Sequence, residues 1–120
     1  MAMGAFNRLL TGDVAKKHAT GGIFDVLDVE AEQPRFAAQE ISFTAPMFGS
    51  KMRRAQAEAA SLEQEIEAET GLTDANWRKT HTEGTRRMGR LLAEDLEVLP
   101  HPDGIELRFS LPKGAFATTL

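Results

Sequence analysis

The chain has 120 residues, of which 42% are hydrophobic, so it is long enough and apolar enough to form one domain around a packed core. It contains no cysteine, which excludes a disulfide scaffold or a thiolate metal site, and no apolar run approaches the roughly 18 residues of a membrane span. The formal net charge of -4 argues against nucleic-acid binding by bulk charge, although basic residues cluster locally. The N-terminus also lacks the apolar region of a secretory signal, so a cytoplasmic location is expected.

The chain begins with a segment, residues 1–11, that we expect to be a lead-in or the remnant of a tag, and residues 12–120 are expected to form the domain. Residues 12–28 predict a β-hairpin. Gly21 and Gly22 lie at its turn and supply the positive φ angles that tight turns need.

A short helix is predicted next, over residues 29–38, with Asp28 as its N-cap. Pro34 lies inside this span and is expected to kink the helix or split it into two turns. Residues 40–44 predict a short extended segment. The stretch 45–49, which contains proline and glycine, predicts a loop.

The clearest helix is predicted over residues 54–70, because a narrow apolar stripe recurs at helical spacing. Its members are Ala55, Ala59, Leu62 and Ile66. Gly71 is well placed to end this helix. Thr73 is predicted to cap a second short helix, with Leu72 and Trp77 forming a hydrophobic staple.

Strands are predicted again near the end of the chain, over residues 84–91 and in a second hairpin that joins 96–99 to 105–111 across a turn at 100–104. Apolar residues alternate along its last strand, which indicates one buried face. They are Ile105, Leu107, Phe109 and Leu111. The fold class is therefore α+β, with short antiparallel strands and hairpins, one long amphipathic helix and one or two short helices.

The sequence does not indicate a complete catalytic site. Asp25 and Asp28 are three residues apart, but on a strand they face opposite sides, and Asp28 is better used as a helix cap. The histidines, which are His18, His81 and His101, are too dispersed to suggest the convergent ligands of a zinc site. We therefore assign no catalytic residue and no metal ligand.

Basic residues are the remaining candidates for function. Lys16, Lys17 and His18 lie at the predicted hairpin tip, where a backbone phosphate could be met, and the groups at 51–54 and 86–90 suit the same role. The alternative is that each group is an ordinary charged surface with glutamate neighbours.

Several unusual segments occur in order along the chain. They are Gly12-Asp13-Val14, Lys17-His18-x-x-Gly21-Gly22-x-Phe24, Gln33-Pro34-Arg35, Glu40-Ile41-Ser42, Ala45-Pro46-Met47-Phe48-Gly49 and Gly84-Thr85-Arg86-Arg87. The most specific segment is Phe109-x-Leu-Pro-x-Gly-x-Phe-Ala-Thr118. Together these segments resemble the TruD-type tRNA pseudouridine synthases over nearly the whole chain from about Asn7 onward.

The resemblance implies isomerisation of a uridine in tRNA, expected at uridine 13 in the D-arm, without a metal or organic cofactor. In members of this family, an aspartate acts on a uridine that has been extruded from its stack. In this family the aspartate lies in a Gly-x-Lys-Asp-Lys-like motif, which does not occur in this sequence. We therefore expect a fragment, the TRUD insertion domain plus a C-terminal strand segment, that is inactive alone.

The resemblance also makes six basic residues candidates for RNA contact: Lys16, Lys17, Arg35, Lys51, Arg86 and Arg87. It places Phe116 near the catalytic cleft of the complete enzyme, whereas Arg35 and Glu40 equally suit an ion pair with each other. Two alternatives stay open. One is a stand-alone, non-catalytic RNA-binding module, and the other is a structural protein that forms a homodimer through the exposed edge of strand 105–111.

Overall fold

The computed structural model describes residues 7–115, which fall into two compact units divided between Arg90 and Leu91. The first unit contains β1 (Val14–Lys17), β2 (Ile23–Asp25), α1 (Val29–Ala37), β3 (Ile41–Met47), α2 (Ala57–Thr70), α3 (Asp74–Lys79) and β4 (Thr85–Met88). The second contains β5 (Glu94–His101) and β6 (Gly104–Ser110). The predicted α+β class is confirmed. None of the helices described is long and apolar enough to cross a membrane.

The first unit is built on an antiparallel sheet with strand order β2-β1-β3-β4. The predicted hairpin of β1 and β2 is confirmed, with Val14 opposite Asp25 and Lys16 opposite Ile23. Gly21 has a φ of 73°, the left-handed conformation that its turn requires.

Strand β3 is longer than the sequence predicts, since it continues through residues 45–47, which were expected to form a loop. Its first half pairs with β1, and residues 44–47 pair with β4. Each half therefore has one paired side. This is why Pro46, which has no N–H to donate, is tolerated inside a strand.

Helix α1 begins as predicted, because the Asp28 carboxylate accepts a hydrogen bond of 3.1 Å from the backbone N–H of Ala31. The expected split at Pro34 is wrong, since the helix runs through this residue without a break. Proline removes only the bond to the carbonyl four residues earlier, at Glu30, an exposed position where water can take its place.

Two apolar clusters form the core of the first unit, and the alternation of side chains along β1 separates them. The first consists of Leu9, Ala15, Val26, Phe36 and Ile41, and the second of Leu10, Val14, Ala55 and Ala59. Leu9 and Leu10 are 2% and 7% exposed, so part of the expected lead-in at 1–11 packs in the core.

Helix α2 begins at Ala57, three residues after the predicted start at residue 54, and ends as predicted at Gly71, whose φ is 70°. Ala59 is buried, but Ile66, the last member of the predicted stripe, is exposed. Glu63 is buried instead. The helix therefore places a carboxylate on its inner face.

The second unit is a two-stranded hairpin in which the turn is tighter than predicted, because Pro100 still pairs with Ile105. The expected buried face is not formed by the residues described. Leu96, Val98, Ile105 and Leu107 are 57%, 60%, 70% and 48% exposed. Two strands alone provide no second layer, so the alternating pattern predicted the strand correctly but not its burial.

Candidate nucleic-acid interface

The hairpin tip brings two of the predicted RNA-contact residues together around one aromatic ring. The Lys17 Nζ lies 6.0 Å from the centroid of Phe24, and the Arg35 guanidinium carbon lies 5.4 Å from it. Lys16 points to the opposite face of the sheet because it alternates with Lys17 along β1. The three cations therefore do not form one patch.

Arg35 is compensated by two carboxylates. Its Nη1 lies 2.6 Å from Glu32 and its Nε 3.7 Å from Glu40, so the ion pair with Glu40 suggested by the sequence is present. Such half-exposed pairs are worth little in water. A phosphate that approached Arg35 would nevertheless have to compete with them.

Lys51 is paired as well, with its Nζ 2.9 Å from Glu83, and both side chains are exposed. The pair is set by a close approach of two loops, in which the N–H of Lys51 donates to the carbonyl of Glu83 over 2.8 Å. A Cβ on Gly49 would lie 2.1 Å from the backbone nitrogen of Gly84, so this approach requires glycine.

The other members of the basic group at 51–54 also face carboxylates. Arg53 lies 3.1 Å from Asp25. Arg54 contacts both Glu67, at 2.8 Å, and Asp74, at 2.7 Å. This group therefore presents little uncompensated positive charge.

Arg86 occupies an interior position, with a side chain only 2% exposed. Its Nε donates to the Thr44 hydroxyl over 2.7 Å, and its two terminal nitrogens donate to Glu63, to the Thr44 carbonyl and to the Arg53 carbonyl. These bonds use all five N–H groups of the guanidinium. Arg86, one of the residues predicted to contact RNA, therefore joins β3, α2 and β4, and its guanidinium has no N–H left for a phosphate in this arrangement.

Arg87 follows Arg86 on the same strand and so faces the other side of β4, where it is exposed. Arg90 is again structural, since its Nη2 donates to the carbonyls of Phe36 and Ile41 over 2.6 and 2.9 Å. Burial, and then the charge of Arg90, lowers the pKa of His18. His18 is consequently neutral at pH 7 and adds no charge to the hairpin tip.

A buried carboxyl that the sequence did not single out lies beside Arg86. Asp13 is 7% exposed, and its Oδ2 accepts a hydrogen bond of 2.7 Å from the N–H of Leu10. Burial raises the pKa of Asp13 to about 6, and the charge of nearby Glu63 acts in the same direction. The spacing of Glu63, four residues after buried Ala59, is the signal that places it on the inner face of α2.

The aspartates considered for catalysis have structural roles, because Asp25 pairs with Arg53 and Asp28 caps α1. Between residues 7 and 115, no group of three or more His, Asp and Glu side chains is placed to hold a metal ion. Phe116 lies outside the described residues.

The chain matches known proteins over its whole length. The model of the family described as tRNA pseudouridine synthase D (TruD) matches residues 1–120. The tRNA pseudouridine synthase D of Thermus thermophilus is 44% identical over 120 residues, covering 100% of this chain and 33% of that protein. The protein of the same name from Syntrophotalea carbinolica is 42% identical over 123 residues, covering 100% and 31%.

The fold also matches a solved structure. The crystal structure described as a putative tRNA pseudouridine synthase D from Methanosarcina mazei superposes with a TM-score of 0.73 at 24% identity, over 95% of this chain and 30% of that one. This likeness concerns the fold alone. The chain spans about a third of the length of the curated relatives it matches.

Proposed function

Because this chain belongs to the tRNA pseudouridine synthase D (TruD) family, we propose that it is part of an enzyme that converts a uridine of tRNA, at position 13, to pseudouridine. Its contribution is RNA-binding surface. The family match over residues 1–120 is the observation that carries this proposal. The Gly-x-Lys-Asp-Lys-like motif to which the family resemblance assigns catalysis is not in this sequence, so the 120 residues alone are inactive.

The proposed surface uses the exposed cations and requires no cofactor. Lys17 at the hairpin tip and Arg87 on β4 are its principal contacts, because both side chains are exposed, and half-buried Lys16 contributes from the opposite face of β1. Arg35 and Lys51 contribute less, since each must leave a carboxylate to meet a phosphate. The enzyme acts where its tRNA substrate is found, in the cytoplasm.

Two measurements on the purified 120-residue chain test the proposal. A salt series of tRNA binding is expected to show a logarithm of affinity that falls linearly with the logarithm of salt concentration. An assay for pseudouridine in the same tRNA is expected to give no product. Failure to bind at low salt would reject the RNA-binding role, and formation of pseudouridine would reject the assignment of catalysis to a motif outside this sequence.

A homodimer is the second candidate, favoured by the exposed apolar residues of the second unit. Ile105 and Val98 are 70% and 60% exposed, and in the part of the chain described β6 pairs with β5 alone. An unpaired strand edge beside apolar side chains invites pairing with a second copy. Light scattering over a concentration series is expected to show a dimer that Ile105→Lys weakens, and a monomer at every concentration excludes it.

A further inference from the structure

Arg78 and Lys79 are two consecutive exposed cations at the end of α3. Within residues 7–115, neither side chain makes a hydrogen bond, an ion pair or a ring contact. The family resemblance did not single them out. Most other basic residues of the first unit, in contrast, face a carboxylate or are bonded inside the protein.

Pairing separates the basic residues into groups that differ in their availability to phosphate. Arg35, Lys51 and Arg54 each face a carboxylate within 3 Å. Arg86 and Arg90 are committed to bonds inside the protein. An unpaired cation gives up only water and counterions when it meets a phosphate, whereas a paired cation must also give up its partner.

Helix α3 holds its two cations in a defined place. The Asn76 side chain accepts the N–H of Thr73 over 2.8 Å, and the Trp77 indole donates to Glu67 of α2 over 3.1 Å. After the helix, the N–H of Thr82 returns to the carbonyl of Trp77 over 2.9 Å. The position of Arg78 and Lys79 is therefore fixed by the fold rather than by a free loop.

The two ends of β3 locate Arg78 and Lys79 relative to the hairpin tip. The hairpin tip lies beside the Ile41 end of this strand, since Lys17 pairs with Ile41. The segment after α3 lies beyond the other end, since Ser50 donates to the carbonyl of Thr82 over 2.9 Å. A strand of seven residues spans about 20 Å, so the hairpin tip and the segment that follows α3 lie at opposite ends of β3.

We propose that Arg78 and Lys79 form a second phosphate-binding position for RNA, distinct from the hairpin tip that carries Lys16 and Lys17. Cations held at a fixed separation read the shape of a folded RNA backbone rather than its sequence. The inference rests on the proposed function, because it presupposes that the chain binds tRNA. A purely structural role in the last turn of a helix would instead act on helix stability.

The test measures binding of a fluorescently labelled, unmodified tRNA transcript by anisotropy over a salt series. The variant Arg78→Ala/Lys79→Ala is compared with Arg8→Ala/Arg108→Ala, which removes the same charge from positions outside the proposed surface, where Arg8 pairs with Glu58 and Arg108 with Glu106. The first is expected to weaken binding about tenfold at ~0.1 M salt and to lower the salt slope by about 1.5–2. The control is expected to keep nearly the wild-type slope.

One further variant and one further measurement make the outcomes distinct. Arg78→Lys/Lys79→Arg is expected to bind as the wild type does, and circular dichroism checks that every variant is folded. Wild-type affinity and slope in the Arg78→Ala/Lys79→Ala variant would overturn the inference, as would an equal loss in the control. If the wild-type chain binds no tRNA, the proposed function fails, and the inference with it.

Discussion

Asp13→Asn is expected to stabilise the chain above pH 6 and to leave its stability at pH 4 nearly unchanged. The Asp13 carboxyl is buried beside Glu63, with Glu58 also near, and Arg86 as the cation that faces it. Arg86 is already bonded to Glu63. One cation thus serves two buried carboxyls, and burial raises the pKa of Asp13 from 3.8 to about 6.

The size and sign of the effect follow from this shift. Since the pKa in the folded chain exceeds that in the unfolded chain, the folded state holds the proton more tightly, and stability falls as pH rises through about 4 to 6. A difference of about two pKa units corresponds to about 3 kcal/mol. Asparagine keeps an oxygen for the Leu10 N–H and buries no charge, so the variant recovers up to about 3 kcal/mol at pH 8.

Urea unfolding, followed through the fluorescence of Trp77, the single tryptophan, measures this difference. The gain in the free energy of unfolding is expected to grow from about zero at pH 4 to its full value at pH 8. Glu65→Gln, which removes the same charge from an exposed position of α2, is the control and is expected to show no such growth. A gain that is constant with pH, or a loss at pH 8, would refute the reasoning.

Two further predictions concern contacts that the family motifs contain. Arg86→Gln is expected to cost about 3–5 kcal/mol of unfolding free energy, because it leaves Glu63 buried without its cation, whereas Arg87→Gln on the exposed face costs less than about 1. Equal losses in denaturant titrations of the two variants would contradict the structural role of Arg86. Gly84→Ala is expected to destabilise the chain more than Gly71→Ala, although both glycines have a positive φ. A Cβ at position 84 would lie 2.5 Å from the Gly49 nitrogen, whereas a Cβ at position 71 would meet nothing within 4 Å. Thermal unfolding of the two variants checks this, and similar melting temperatures would show that the loops separate freely.

The features predicted correctly from the sequence depend on neighbouring residues. Gly21 in the first turn, Asp28 at the start of α1 and Gly71 at the end of α2 each act within a few residues of their own position. The sequence predicts too short a β3, because a proline such as Pro46 usually indicates a loop. Proline fits this half of the strand because the half pairs with β4 alone, which the sequence does not reveal. The exposure of Ile105 was missed for a related reason, since alternation describes a strand and not the layer that covers it.

In the candidate site, the segment Gly84-Thr85-Arg86-Arg87 also shows that local sequence does not predict burial. The period of a strand places the two arginines on opposite faces, but it does not say which face is buried. That is decided by Glu63, 23 residues away, and by Thr44, 42 residues away, whose oxygens surround the Arg86 guanidinium. A basic residue in a shared motif therefore supports either the fold or the RNA surface, and its carboxylate partners decide which. By this criterion Arg78 and Lys79, outside every matched motif, are better placed to meet a phosphate than Arg86 inside one.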